Sequence, residues 1–484
     1  MKLKDLIKDI YQKEIEEHFL LYDVQSISCD SRKVDQGGLF VAIKGARKDG
    51  TDYIEEAVAK GAVVVAVDGE QSIDLLNKNI CILKVEDTRK FLADATNRIY
   101  DFPSKKVQCL GITGTNGKTT ISYLIEAILK TARQKCGVIG TINCRYGEHI
   151  VPIENTTPSI VDICHYLTDM NENGFSYCAM EVSSHALDQG RVSGIDFKAG
   201  IFTNLTQDHL DYHQSMESYF LAKSKMFSSL LLDSFAIVNI DDFWGQKIIE
   251  RTKAKVVSYG VENKADMMAL NIESTLFGSK FILKLGQNET EIETTLIGKH
   301  NVYNILAAAA TCSCIGVQLE DIRYGVEHLN CVPGRLEPVI AGQDFFVFVD
   351  YAHTDDALKN VLTSLRSVTK GKLVVVFGCG GDRDKEKRVK MGSVVSSLAD
   401  FSIITNDNPR SENPEDIAHK IVSGFDHDRY LIILDRRQAI QKAFSMVEKN
   451  DIVLIAGKGH ENYQILKNET ISFDDRKVVR ECLS

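Results

Sequence analysis

The sequence predicts an α/β protein of three domains, and three observations carry that expectation. At 484 residues the chain is too long for a single hydrophobic core and suits about three domains of ordinary size. Apolar β-rich runs alternate with helix-length amphipathic stretches, most cleanly toward the end of the chain, which is the pattern of βαβ units around a mostly parallel sheet. Between the apolar run 107–112 and the helix-patterned stretch 121–130 stands Gly-Ile-Thr-Gly-Thr-Asn-Gly-Lys-Thr-Thr (111–120), a glycine-rich turn from strand to helix.

The elements follow in order. Up to residue 101 the chain has short apolar runs such as 39–43 and 62–67. From 102 to 333, runs 107–112, 177–182, 199–203 and 235–240 read as buried strands, and 301–314 as a closing helix. From 334 to 484, runs 345–350, 373–377, 401–405, 431–434 and 452–456 are strands separated by helices. Of seven prolines, Pro103 and Pro333 stand at the two boundaries, giving domains 1–101, 102–333 and 334–484.

Composition narrows the function classes. Hydrophobic residues at 44% and charged residues at 26% are those of an ordinary soluble globular protein, and a net charge of -10 argues against a nucleic-acid partner. The amphipathic start, Met-Lys-Leu-Lys-Asp-Leu-Ile-Lys-Asp-Ile, carries acids and is unlike a signal peptide, and the weakly polar run 305–317 is too short to span a bilayer. A cytoplasmic protein with no membrane contact is expected. Twelve cysteines without paired metal spacing (Cys312 and Cys314 are only two apart) then read as reduced thiols filling core positions.

The glycine-rich turn carries the strongest chemical signal. Backbone N–H groups there close around phosphate oxygens at a helix N-terminus, Lys118 neutralises the terminal phosphates, and the next hydroxyl, on Thr119, can hold Mg²⁺. The spacing Gly114-x-x-Gly117-Lys118 is tighter than the usual G-x-x-x-x-G-K-[ST], but it predicts a nucleoside triphosphate site over Gly114, Thr115, Asn116, Gly117, Lys118, Thr119 and Thr120. Glu181 closes a strand, and Asp208-His209-Leu-Asp-Tyr-His213 follows another; a carboxylate and an imidazole there suit a second hard cation. His209 taken alone is more often a hydrogen-bonded structural histidine. Lys223 reads from composition as a solvated helix lysine, and Arg335 as a phosphate clamp or a surface residue with equal ease.

In the last third, polar clusters 350–353, 378–384, 406–410 and 457–461 all fall just after strands, where open α/β sheets bind ligands. Thr-Asn-Asp-Asn-Pro-Arg-Ser-Glu-Asn-Pro (405–414) reads as a proline-limited turn, or as a rigid turn offering a carboxylate and a guanidinium to a zwitterion. Gly457-Lys-Gly-His-Glu461 offers a similar mixture.

Taken together, 111–120, 181–185, 204–213, 300–304, 334–337 and 350–354 resemble, in order and through all three segments, the ATP-dependent Mur ligases of peptidoglycan synthesis. Asp30-Ser31-Arg32, Gly-Leu-Phe-Val-Ala-Ile (38–43), Asn155-Thr-Thr-Pro158 and Asp407-Asn-Pro-Arg410 resemble the tripeptide-forming members. The resemblance implies a uridine-nucleotide-binding α/β domain, a central P-loop ATPase-like domain and a Rossmann-like C-terminal domain. It also implies a role for each matching residue. Gly114 to Thr120 hold ATP, with Asn301, Arg335 and Asp350 on the ATP side of the later domains. Thr119 holds one Mg²⁺, while Glu181 and His209 ligate or organise a second. Lys223 matches the lysine that the family carbamylates with CO₂ to N6-carboxylysine, which overturns the solvated reading; Lys225 is the register alternative. Ser31, Asn155, Thr156, Thr157, Ser183, Gln189 and Arg191 contact UDP-N-acetylmuramoyl-L-Ala-D-Glu, and Arg383, Asp407, Asn408, Pro409, Arg410, Gly457 and Glu461 hold meso-diaminopimelate.

The implied reaction is an amide ligation in cytoplasmic peptidoglycan precursor synthesis, on which cell shape and division depend. The D-Glu side-chain carboxylate takes the γ-phosphoryl group of ATP, and the diaminopimelate amine attacks the acyl phosphate. Arg410 is the specificity clue, because its guanidinium can pair with the distal carboxylate that L-lysine lacks. The chain departs from the pattern in two places: Asp355 stands where relatives usually have proline, at a helix start where Asp caps well, and Ala46-Arg-Lys48 differs from the usual uridine-contacting loop. A lysine-adding ligase, a folylpolyglutamate-type ligase and a nucleotide-dependent regulator without turnover are the rivals; a monomer is expected.

Overall fold

A computed structural model describes residues 1–45, 48–69 and 79–483; Ala46 and Arg47 of the expected uridine loop lie outside them. The chain divides into two compact units: Met1–Gly111, Gln134–Gly200 and Lys225–Ser234 form the first, and Ile112–Arg133, Ile201–Ser224 and Phe235–Ser484 the second.

In the first unit, strands Ile27–Ser28, Gly38–Val41, Ala62–Asp68 and Cys81–Val85 pair in chain order, all parallel. A parallel strand is covered on both faces, hence the unbroken apolar run of Ala62–Asp68, in which Val64 to Val67 are fully buried. Helix Ile54–Lys60 packs Ile54 and Ala57 on Phe40, Val65 and Val67, and stops at Gly61, whose φ of +116° no other residue adopts cheaply. Helix Thr88–Ile99 begins where the Asp87 carboxylate accepts the N–H groups of Arg89 and Lys90. Farther on, Cys136–Ile139 pairs in parallel with Tyr177–Glu181 and antiparallel with Cys144–Tyr146, which turns at Gly147 into His149–Val151.

In the second unit, helix Lys118–Thr131 packs against the almost wholly buried helix Lys299–Cys314. Strand Phe235–Asn239 pairs in parallel with Lys255–Gly260, and a three-stranded antiparallel meander follows: Met267–Thr275, Gly278–Leu285 and Asn288–Thr294. Sequence analysis missed that meander because it is polar on one face and lacks the apolar runs that mark the buried strands.

The rest of the second unit is a six-stranded sheet ordered Glu337–Pro338, Phe346–Asp350, Ile452–Ala456, Leu373–Phe377, Phe401–Ile404 and Tyr430–Ile432. Only the first of these is antiparallel to its neighbour. Alternation divides its side chains cleanly. Phe348, Val375, Phe377 and Leu454 join helices Asp355–Val368, Glu386–Leu398 and Pro414–Val422 on one face, while Val347, Val374, Val376 and Val453 join helices Arg436–Phe444 and Asp475–Leu483 on the other.

Two details differ from expectation, and a third separates two readings of one lysine. The residue that caps helix Asp355–Val368 is Thr354, whose hydroxyl accepts the N–H of Ala357 at 3.2 Å; Asp355 is the first helical residue, where its carboxylate faces the positive end of the dipole. All twelve cysteines are free thiols, yet Cys29, Cys314, Cys331 and Cys482 are only partly buried, outside the core proper. Lys223 is 1% exposed, against the solvated reading from composition and in keeping with the one that replaced it.

Candidate functional site

Strand Gln108–Thr113 delivers the chain to the glycine-rich turn, and helix Lys118–Thr131 leaves it. Gly114 has φ +144°, and a Cβ there would lie 1.8 Å from the Thr203 hydroxyl; one at Gly117, φ +90°, would lie 2.3 Å from Asn304 Oδ1. Both glycines are therefore required by left-handed backbone and by close packing together. The turn is tied from outside: the N–H groups of Thr115 and Asn116 reach the carbonyl and side-chain oxygens of Asn204 at 2.9 Å, and Thr203 donates its hydroxyl to the Asn116 carbonyl at 2.7 Å. Because Gly117 is the N-cap, no side chain caps the helix, and an uncapped first turn suits a phosphate.

Two lysines converge beneath this turn. Lys118 Nζ donates to the carbonyls of Gly114 and Thr115 at 2.9 Å each, and Lys223 Nζ donates to the same Gly114 carbonyl at 2.8 Å. Burial first, and then the Lys118 ammonium, pull the Lys223 amine well below the usual lysine range, with Asp208 opposing. Lys225 is about half exposed and pairs with Asp188 at 2.8 Å, so burial singles out Lys223 of the two.

Arg335 is no surface residue. Its Nη2 donates to the Thr119 hydroxyl at 3.0 Å, its guanidinium carbon lies 4.7 Å from the Tyr351 ring centroid, and its buried Nε has no hydrogen-bond partner among the described residues. Asp350 holds the turn behind it, accepting from the N–H groups of Leu336 and Ala352 at 2.6 Å; burial pushes its carboxyl up while Arg335 pulls it back. Asn301 is buried too, donating to the Ile297 carbonyl and accepting from Asn304, the residue that packs on Gly117. His209 sits at φ +54° with its ring 3.4 Å from the Asp208 carboxylate and 44% exposed. Burial raises Asp208, but His209, His353 and Lys387 outweigh it and hold the acid below its usual range.

Around the last four sheet ends, Gly378 to Arg383 and Asp407 to Arg410 meet. Gly381 N–H donates to the Asn408 carbonyl at 2.9 Å, and Arg410 Nη1 donates to the Gly381 carbonyl at 2.8 Å. Arg383 is exposed beside them, and Asp407 is buried with its Oδ2 2.5 Å from where a Cβ on Gly457 would stand. Asn408 donates to Glu461 Oε2 at 3.0 Å, joining the two clusters. Pro409 lines a cleft of about 400 Å³ with Arg410, Glu412, Leu466 and Lys467.

The first unit gathers another set. Glu181 is buried, with Oε1 accepting the Thr141 N–H at 2.9 Å and Oε2 the Thr141 hydroxyl at 2.8 Å. Thr156 joins Thr141 at 3.1 Å, Thr157 donates to the Glu181 carbonyl and accepts from Ser183 N–H, and Arg191 spans the Thr157 carbonyl and Gln189 Oε1. Asn155 is exposed next to them. Ser31 lies apart from this network, donating to Glu56 at 2.8 Å.

Comparison with known proteins places this geometry. Residues 112–312 match the Mur ligase middle domain, 334–459 the Mur ligase glutamate ligase domain, and 23–100 the Mur ligase family catalytic domain. The chain is 44% identical to a protein of Clostridium acetobutylicum named UDP-N-acetylmuramoyl-L-alanyl-D-glutamate–2,6-diaminopimelate ligase 1, over 99% of both chains. The chain belongs to the Mur ligase family. A Clostridioides difficile relative named as the same ligase, without the numeral, is also 44% identical over 100% of each chain. A solved structure of a ligase so named superposes with a TM-score of 0.72 at 33% identity, covering 100% of this chain and 98% of that one.

Mur ligases are ATP-dependent and typically use Mg²⁺. Among the described residues no three His, Cys, Asp or Glu side chains gather as a metal site. Mg²⁺ takes hard oxygen donors, few of them from protein beside phosphate oxygens and water; the Thr119 hydroxyl in the second unit and the Glu181 carboxylate in the first are each donors of that kind, whereas an imidazole suits softer metals, which makes His209 the poorer donor. Sequence reasoning missed three contributors. Asp356 accepts from Asn116 and Thr206 at 2.8 and 3.1 Å, linking helix Asp355–Val368 to the phosphate turn of this Mur ligase. Glu412 accepts from both Nη groups of buried Arg388, pinning the Arg410 turn. Lys458 is wholly buried. Glu412 and Lys458 stood within stretches already singled out, 405–414 and 457–461, without being picked from them.

Proposed function

We propose that this Mur ligase joins an amine of meso-2,6-diaminopimelate to the side-chain carboxylate of D-Glu in UDP-N-acetylmuramoyl-L-Ala-D-Glu, at the expense of ATP. The observation that carries the ligase chemistry is the phosphate turn, on which Lys118, Lys223 and the Arg335–Thr119 contact converge. The substrates follow the names of the full-length relatives. Domains 1–101, 102–333 and 334–484 serve the uridine nucleotide, ATP and the amino acid in turn.

In this reading Gly114 to Thr120 cradle the triphosphate, with Asn301, Arg335 and Asp350 framing it. Thr156, Thr157, Ser183, Gln189 and Arg191, with Ser31 and Asn155, hold the dipeptide substrate. Arg383, Asp407, Asn408, Pro409, Arg410, Gly457 and Glu461 hold diaminopimelate. Phosphoryl transfer leaves an acyl phosphate, the amine attacks its carbonyl, and phosphate departs; no protein nucleophile is needed. Lys118 offsets charge on the phosphates, and Arg335 is placed to do so from the other side. Thr119 and a carbamate on Lys223 would hold Mg²⁺, with Glu181 a further candidate donor and His209 organising, and the ion would supply charge neutralisation at the transferring phosphoryl group. Burial that lowers the Lys223 amine and so favours its neutral form suits reaction with CO₂, and an anion there would be compensated by Lys118. The protein works as a cytoplasmic monomer.

Phosphate release is the test, with ATP, Mg²⁺, the UDP-muramoyl dipeptide and either meso-diaminopimelate or L-lysine. Turnover with diaminopimelate alone is expected. Turnover with lysine would keep the ligase and remove the role of Arg410; silence with both would point to a nucleotide-dependent regulator.

A further inference from the structure

The Lys458 side chain has no exposed surface, yet it lies three residues from Glu461, which the reading above places at the amino-acid substrate. Its Nζ donates to Glu461 Oε2 at 2.9 Å and to Asn408 Oδ1 at 3.2 Å. Asn408 Oδ1 also accepts the N–H of Ile465 at 3.0 Å, so two donors fix which way the amide faces, and its Nδ2 then meets Glu461 Oε2 at 3.0 Å. Oε2 thus takes two hydrogen bonds. Oε1 accepts none among the described residues, and it is on the side chain that remains 15% exposed.

We infer that Lys458 is a positioning residue that clamps Glu461 through Oε2 and presents Oε1 to the ammonium group of the amino-acid substrate. A buried ammonium must be compensated, and Glu461 is the carboxylate beside it, so two hydrogen bonds on Oε2 remove its rotational freedom before the substrate arrives. Substrate binding then costs less ordering than an unclamped carboxylate would demand. Asn408, set by the same lysine, closes the triangle. Lys458 touches no substrate in this arrangement; it acts through Glu461 and Asn408. The inference rests on diaminopimelate being the amine substrate.

Initial rates are measured for wild type, Lys458→Met, Glu461→Gln and the double variant, varying diaminopimelate, ATP and the UDP-muramoyl dipeptide separately. Lys458→Met is expected to raise the KM for diaminopimelate at least tenfold while the other two KM values stay within about twofold. In the Glu461→Gln background the same change is expected to add less than twofold, since the clamp has nothing left to hold. A rise shared by all three substrates, an unchanged diaminopimelate KM, or full additivity in the double variant would overturn the inference. Should Lys458→Met fail to fold by circular dichroism, the charge-neutral double variant compared with Glu461→Gln still decides, a further rise in KM counting against the clamp. Wild-type enzyme that turns over no diaminopimelate sinks the proposed function and this inference together, whereas wild-type turnover with an unmoved KM in Lys458→Met sinks only the clamp.

Discussion

Arg410 adopts φ +52° and anchors one guanidinium nitrogen on the Gly381 carbonyl, while its Nε and Nη2 donate to nothing among the described residues. A fork held by one tine and open at the others suits a carboxylate. Replacing it by leucine is expected to lower the kcat/KM preference for diaminopimelate over lysine by about a hundredfold, because the pairing that rejects lysine is gone; competition assays with both amino acids read the ratio. His300 illustrates a different residue-scale effect. Burial pulls it down to about 4, with Nδ1 3.2 Å from the Ser364 hydroxyl. The unfolded chain, with an ordinary histidine near 6.5, then binds the extra proton between roughly pH 6.5 and 4, so stability falls as the pH drops through that window. Between pH 6.5 and 5 the loss is about 1.5 kcal/mol from this group, and urea unfolding of a His300→Gln variant is expected to show a correspondingly shallower decline.

At the scale of elements, helix Arg436–Phe444 is bound to helix Asp475–Leu483 by a fork-to-fork ion pair, Arg436 to Asp475, with both side chains fully buried. The same guanidinium donates to the carbonyls of Ala456 and Asn406, which end one strand and open the Asp407 turn. Arg436→Met leaves Asp475 charged and unpaired, an expected cost of about 3–5 kcal/mol by chemical denaturation. Arg436→Met with Asp475→Leu is expected to recover most of it, since a well-packed apolar pair replaces a buried ionic one at little cost. Five strands of the six-stranded sheet were legible to within a residue or two, because runs such as Leu-Val-Val-Val-Phe (373–377) are buried on both faces and interrupted by turn residues, whereas the two-residue edge strand Glu337–Pro338 is too short to leave a pattern. The meander over Met267–Thr275, Gly278–Leu285 and Asn288–Thr294 was not, since its half-polar strands carry little apolar signal. Asp355 was misread as a cap because Thr354, one position earlier, is the better-placed acceptor.

For the whole molecule, a nucleotide that binds only the folded state raises stability by mass action. A non-hydrolysable ATP analogue with Mg²⁺ at about a hundred times its dissociation constant is expected to raise the melting temperature by roughly 2–4 °C, and Lys118→Met to erase most of that rise. Differential scanning fluorimetry reads both. The amino-acid sequence by itself determined the α/β class, the phosphate turn and the polar clusters behind successive strands, because each is written in contiguous residues whose spacing sets local backbone geometry. Tertiary structure alone decided which charges are buried. Nothing local separates Lys223 from Lys225, yet one lies buried under the Gly114 carbonyl and the other half exposed beside Asp188. Lys458 and Arg436 likewise look like ordinary surface cations until partners from other segments, Asn408 and Asp475, close around them. Desolvation depends on what surrounds a group in space, and the chain order does not record that.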